Sequence, residues 1–227
     1  TNGTATGTTI TSGKYGNARS FNGTSDTISV GSPLSGTGAF TAAAWVNPGD
    51  NTTAWKTVFA EGCSGFDLTI NGGTIMFGRN CGLGNGFYTG PTITPNEWTH
   101  LAIVFNGTTL DLYKNGVKTI GGASTFTHGT TYIGSYNGSA EFFKGVIDEV
   151  QIFNRALSQM EITGLYNPNS GGMQFMFQGT NPDASAYRRR KDISSAAAPI
   201  GEWKLNEQSG TGAYLLNTAT AQANFGS

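Results

Sequence analysis

Charge and cysteine are what this chain has least of. Charged residues fill 12% of 227 positions, about half the ~25% usual for soluble proteins, and 13 Lys and Arg against 14 Asp and Glu leave a formal net charge of −1. A nucleic-acid binder needs a broad basic face, so that class is excluded. Two cysteines, Cys63 and Cys81, are too few for a structural zinc site. Only two histidines, His100 and His128, are available for acid–base work. There is no Gly-x-Ser-x-Gly elbow and no Walker loop. No apolar run approaches the ~20 residues of a membrane helix, so no membrane insertion is expected. No basic-then-apolar start is present; any secretory leader is expected to have been removed.

Glycine is what the chain has in excess, 34 residues, about double the usual ~7%. Apolar segments are short, alternate with period two, and end at Gly, Asn or Pro. Examples are Thr27 to Val30, Phe40 to Val46, Leu101 to Phe105, Leu110 to Tyr113 and Val146 to Phe153. Asn106-Gly107 and Asn115-Gly116 are turn signals between such segments. The pattern predicts an all-β sandwich or barrel. One short helix is expected near 155–165, opening at Ser158, where Ser158 and Glu161 have capping-box spacing.

Phe66 to Ile70, Asn71-Gly72-Gly73 and Thr74 to Phe77 read as strand, turn, strand. That hairpin brings Cys63 and Cys81 face to face, and a disulfide between them would stabilise by roughly 3 kcal/mol; two free thiols are the alternative. Low charge, abundant Thr, Gly and Asn, and this pair point to an extracellular or cell-surface location. The composition shifts near residue 167. Asn167-Pro168-Asn169-Ser170-Gly171-Gly172 reads as a linker, Met173 to Phe177 alternates like an extended strand, and Tyr187-Arg188-Arg189-Arg190-Lys191 is a solvated charge run.

Five segments, in order along residues 10–166, carry a family resemblance. They are Gly13-Lys14-Tyr15-Gly16-Asn17-Ala18-Arg19-Ser20-Phe21-Asn22-Gly23-Thr24-Ser25-Asp26, Phe40 to Pro48, Trp98 to Val104, Leu110 to Gly116, and Gly145 to Ser158. Together they resemble the bacterial laminin-G-like, concanavalin-A-like jelly rolls. The resemblance implies a two-sheet antiparallel jelly-roll sandwich with loops on a concave side.

One departure stands out. The family opens with a strand of the form Trp-x-x-x-Glu-x-Ser-Gly-Thr, absent from residues 1–12 but present as Trp203 to Thr211. The expected organisation is a jelly roll over 1–166 lacking its first strand, a linker with an extended segment over 167–199, and the displaced opening strand over 200–227. Three explanations stay open: the strand folds back into its own domain, inserts into a neighbouring subunit, or begins the next repeat of an array. The segment 168–199 extends to ~105–115 Å, long enough to reach a neighbour. A missing strand leaves a slot whose filling by Ile200, Trp203 and Leu205 supplies both hydrogen bonds and core side chains. The leading expectation is therefore an extracellular structural or adhesive subunit. It would self-associate head-to-tail into a filament by strand donation. The alternative is a carbohydrate-binding module of a secreted hydrolase or adhesin, with a surface polysaccharide as partner.

Catalysis is not expected. Asp148 and Glu149 are adjacent, so in a strand they face opposite sides and cannot form a glycosidase pair. The resemblance implies a structural Ca²⁺ held by Asp148, with backbone carbonyls near Gly23 and with Asp26 and Glu207; the alternative is that Asp148 only accepts hydrogen bonds from a turn. His100 is read as a structural hydrogen-bonding residue. Trp55, Phe87, Tyr88, Tyr136 and Phe142 sit in or beside loops and form the candidate sugar-stacking set. Trp45, Trp98 and Trp203 are assigned to the core.

Overall fold

The computed structural model describes residues 3–36, 38–62, 65–78 and 87–167, together with the backbone of 201–203. Its strands are β1 (Thr4–Thr6), β2 (Thr9–Ser12), β3 (Asn17–Asn22), β4 (Thr27–Ser29), β5 (Phe40–Pro48), β6 (Lys56–Ala60), β7 (Asp67–Asn71), β8 (Thr74–Phe77), β9 (Tyr88–Thr92), β10 (Thr99–Phe105), β11 (Thr109–Lys114), β12 (Val117–Ala123), β13 (Tyr132–Ile133), β14 (Lys144–Phe153) and β15 (Gly201–Trp203). The single helix among the described residues, α1, spans Gln159–Tyr166. The strands form two antiparallel sheets. Sheet one runs β1-β4-β13-β6-β7-β8-β9 and sheet two runs β12-β11-β10-β5-β14-β3-β2, with β15 added beside β14. This is the jelly-roll sandwich that the family resemblance implies, within the sandwich-or-barrel class that the alternation predicts.

The core lies between the sheets. Phe40, Ala42, Ala44 and Val46 of β5 and Leu101, Ile103 and Phe105 of β10 point inward. They meet Ile28, Leu68, Ile70, Ile75 and Phe77 of sheet one. Phe40 stacks on Phe66 at 4.8 Å and meets Phe105 and Phe126 at 5.6 Å. The opposite face of β5 and β10 is buried too. Ala43, Ala102, Val104, Tyr113 and Phe153 form a second cluster with Leu157 and Ile162 under α1. Covering on both sides explains why these strands are buried along nearly their whole length. Trp45 belongs to this outer layer rather than to the inter-sheet core, stacking on Tyr166 at 5.5 Å. Trp98 is half-buried, and the Trp203 side chain lies outside the described residues.

The chain opens its helix as the sequence predicts. Ser158 is the N-cap of α1, and its capping box with Glu161 is complete. The hairpin turns also follow their residues: Gly72 and Gly73 take φ of +56° and +77°, Asn115 and Gly116 take +50° and +78°. These are the conformations that two-residue hairpin loops demand. Asn106-Gly107 works differently. The register pairs Phe105 with Leu110, and Asn106 Oδ1 accepts from the amides of Thr108 and Thr109 at 2.9 and 2.8 Å. This is an Asx turn inside a longer loop.

Among the described residues, the outer strands β12 and β2 of sheet two each pair on one side only. β12 is exposed at nearly every position, with Val117 64% and Ile120 38% accessible, and its ladder to β11 is interrupted at Leu112/Tyr113. On β14, the edge away from β5 is shared. Lys144 to Ile147 pair with β3, while Val150, Gln151 and Ile152 pair with Trp203, Glu202 and Gly201 of β15. Cys63 and Cys81, and the segments 168–199 and 204–227, lie outside the described residues.

Candidate functional site

Three loops meet at one end of the sandwich: β3–β4, β5–β6 and β13–β14. They enclose an open cleft of about 490 Å³, lined by Gly23, Asp50, Thr52, Trp55, Phe142 and Lys144 among others. The β5–β6 loop is built around Asp50. Its Oδ1 accepts from the Thr52 amide at 3.0 Å and from Thr52 Oγ1 at 2.8 Å. Lys56, buried at the start of β6, sends Nζ to Asp50 Oδ1 at 2.8 Å, to Thr52 Oγ1 at 2.8 Å and to Thr52 O at 3.1 Å. Lys144 Nζ reaches Asp50 Oδ2 at 3.2 Å from the other wall. The Lys56 ammonium, aided by Thr52 and Lys144, holds the Asp50 carboxyl well below the usual carboxylate range, against a smaller effect of burial. Desolvated pairs of this kind fix geometry when every polar atom is satisfied.

The same loop is pinned to the β7–β8 turn. Asn71 Nδ2 donates to Thr53 O at 2.7 Å, and the Gly72 amide donates to Thr52 O at 3.1 Å. Trp55 therefore stands on an anchored loop. Its ring stacks on Phe87 at 5.0 Å and 29°, and it stays 37% exposed. Across the cleft, Glu141 ties the β13–β14 loop to β6: its O accepts the Thr57 amide at 2.8 Å and its Oε2 accepts Thr57 Oγ1 at 3.1 Å. Phe142 follows, half-buried, on the cleft wall.

Of the five aromatics singled out in the sequence, Trp55, Phe87 and Phe142 come to this end. Tyr88 turns inward: its ring packs on Phe77 at 5.4 Å and its hydroxyl donates to Ala123 O at 2.5 Å. Tyr136 sits in a tight turn closed by its own pairing with Ala140. That turn lies over sheet one, where Gly138 meets the Tyr132 ring and Asn137 meets Gly62. The sequence reading missed Asp50 and Lys56. The one local signal was Asp50-x-Thr52, an Asx-turn pattern; the ion pairs with Lys56 and Lys144 form only in three dimensions.

The proposed calcium ligands are not brought together. Asp148 is fully buried beside the Gly13–Gly16 turn, with Oδ2 accepting from the Tyr15 amide at 3.0 Å and Oδ1 from the Glu149 amide at 2.8 Å. Burial pushes its carboxyl up, opposed by the amides of Tyr15, Glu149 and Lys14. Gly23 and Asp26 lie at the other end of the β3–β14 ladder, where Lys144 pairs with Asn22. Asp26 is engaged by the Asn22 amide at 2.9 Å. Glu207 lies outside the described residues. Among the described residues no three His, Cys, Asp or Glu side chains converge. His100 also differs from expectation. Its ring packs between Trp45 at 5.4 Å and Tyr166 at 6.2 Å, and its Nδ1 is buried with no hydrogen-bond partner.

Comparison with known proteins follows from this geometry. The family model described as the concanavalin A-like lectin/glucanases superfamily matches residues 22–163. Among solved structures, the chain is similar to domain 4 of AbnA, a GH43 extracellular arabinanase from Geobacillus stearothermophilus in complex with arabinotriose. The identity is 24% and the TM-score 0.55, over 72% of this chain and 87% of that one. The binding domain of Paraclostridial Mosquitocidal Protein 1 is similar at 19% identity and a TM-score of 0.60, over 75% of this chain and 48% of that one. A heptameric SAP-like pentraxin from Limulus polyphemus is similar at 18% identity and a TM-score of 0.51, over 66% and 81%. At these identities the likeness shows the fold. No curated protein sequence matches the chain.

Proposed function

We propose a carbohydrate-binding role from one premise: the chain belongs to the concanavalin A-like lectin/glucanase superfamily. The observation that carries the proposal is Trp55. It is a large aromatic ring, partly exposed, stacked on Phe87 and held by an anchored loop at the wall of an open cleft. An aromatic face offers a platform for the C–H face of a sugar ring. Thr52, Glu141 and Lys144 around it offer donors and acceptors for hydroxyl groups. The complex of arabinanase domain 4 with arabinotriose supports the same reading, as a similar fold that holds an oligosaccharide.

Binding rather than hydrolysis suits the charges in the cleft. A glycosidase acid needs a carboxyl held up toward neutral pH, whereas the Asp50 carboxyl is held down, by Lys56 first and then by Thr52 and Lys144. The proposed setting is extracellular, on or near a polysaccharide. Among the described residues no helix is long and apolar enough to cross a membrane.

The test is affinity electrophoresis and calorimetry of the chain against arabinan, xylan, galactan and β-glucan. One of them is expected to bind, and Trp55→Ala is expected to weaken that binding at least tenfold, about 1.4 kcal/mol. Retention on none of them, or equal binding by Trp55→Ala, would remove the role or the site respectively.

A second reading rests on β15. Its three pairs with β14 fill an edge of the same chain. The corresponding segment of another copy offers the same backbone groups, which is the basis of strand exchange into an oligomer or filament. Light scattering over a concentration series decides. Oligomers that vanish in a truncation ending at Pro168 support exchange; a monomer at every concentration leaves the strand acting within its own chain.

A further inference from the structure

The far end of the sandwich, beyond the last residue of β6, carries a second built feature. Glu61 is buried, and each carboxylate oxygen has its own partner. Oε1 accepts from Thr131 Oγ1 at 2.9 Å, and Oε2 lies 2.7 Å from His128 Nδ1. The His128 side chain is 2% exposed and that of Glu61 0%. The imidazole is wedged edge-on against Phe40 at 5.1 Å and Phe66 at 6.3 Å. A carboxylate only accepts, so in the neutral ring the proton sits on Nδ1 and Nε2 is left as an acceptor. Among the described residues no group bonds Nε2, and His128 borders the space beside it. That space is a cavity of about 270 Å³ lined by His128 with Pro33, Leu34, Ser35, Ala39 and Asn154 among others.

We infer that this cavity is a second ligand site, for a single sugar ring or comparable small polyol, read through a ligand hydroxyl that donates to His128 Nε2. Glu61 and Thr131 act through the imidazole, fixing its tautomer and orientation as an outer carboxylate does for a metal-bound histidine. Ser35 and Asn154 each donate and accept, which matches neighbouring hydroxyl groups. Apart from His128, none of the lining side chains named is ionisable, and the Glu61 carboxylate behind the imidazole disfavours anions. The volume lies just below the roughly 300–1,000 Å³ of drug-sized sites, a size for one ring rather than a chain. The site is at the opposite end of β6 from the Trp55 cleft and does not depend on it.

The test is two-dimensional NMR of the ¹⁵N-labelled full chain, following imidazole and indole signals during titration with D-galactose, D-glucose and glycerol. A saturable movement of the His128 signals by at least one sugar is expected. Ser35→Ala and Asn154→Ala, at exposed positions away from the buried pair, are expected to weaken it about fivefold each. Trp55→Ala is expected to leave it unchanged. His128 signals that stay still with every probe, or that drift without saturation and equally in Ser35→Ala, overturn the inference. Movement of Trp55 alone overturns it while sustaining the end cleft; movement of His128 alone sustains it while removing the cleft. His128→Gln is avoided as the sole variant, because it strips Glu61 of a buried partner and threatens the fold.

Discussion

His100 shows how one side chain sets a response of the whole fold. Burial against Trp45 and Tyr166 lowers its pKa from 6.5 to about 3. The native state keeps the ring neutral while the unfolded chain takes up a proton below pH 6.5. The unfolded state then binds more protons, so stability falls as pH drops from 6.5 toward 3, by roughly 2 kcal/mol at pH 5. Asp148 opposes this: its raised carboxyl gains its proton in the native state first, adding stability as pH falls through that raised value. The His100→Phe variant, which keeps an aromatic ring, is expected to flatten the fall in Tm between pH 7 and 5; an unchanged slope in circular-dichroism melts would contradict the assignment. Gly134 is a second sensitive position. It holds φ of +77°, and a Cβ there would meet Phe21 Cε1 at 2.1 Å. Gly134→Ala is expected to cost roughly 2–4 kcal/mol in urea unfolding, from strain and overpacking together.

At the scale of elements, β14 is the most exacting strand. It is paired with β5 on one side and divided between β3 and β15 on the other, with the break at Asp148 and Glu149, where Glu149 takes φ of +47°. Removing residues 200–227 is expected to speed amide exchange at 150–152 while sparing 144–147, a difference that hydrogen-exchange mass spectrometry resolves. The elements themselves were legible in the sequence. Alternation along β5, β10 and β11, glycine pairs at hairpins, and the Ser158/Glu161 box are local patterns with local causes. Which face an aromatic takes was less so. Tyr88 alternates within a strand that begins at its own position, so a one-residue uncertainty in the boundary decides between solvent and core. The Asp50–Lys144 pair and the turn that satisfies Asp148 join residues far apart in the chain, and no local spacing encodes them. Asp148 at a turn was foreseen only as the plainer of two alternatives.

For the whole molecule, covering is uneven. Sheet two has its outer face sealed by α1 and by the turn that carries Lys14 and Tyr15, whose side chains lie on Trp45 at 4.5 and 6.1 Å. Both proposed sites, at Trp55 and at His128, accordingly lie in loops at the ends of the sandwich, on a scaffold that two sheets hold rigid. The fold alone does not choose among sugars, since that choice rests on a few rim side chains.

A protein that gathers on a polysaccharide is concentrated there, and its outermost strand meets copies of itself. β12 has the exposed valine and isoleucine that invite such meetings. Against them stand Lys118, paired with Asp111 at 2.7 Å, the interrupted register at Leu112/Tyr113, and the Gly121-Gly122 pair, which offers no side chains to pack. These features act as a guard on solubility. Lys118→Ile is expected to leave unfolding stability within about 1 kcal/mol of the parent's while raising turbidity on storage at high concentration. Under the proposed polysaccharide binding, crowding at the bound surface is the condition against which these features protect the edge.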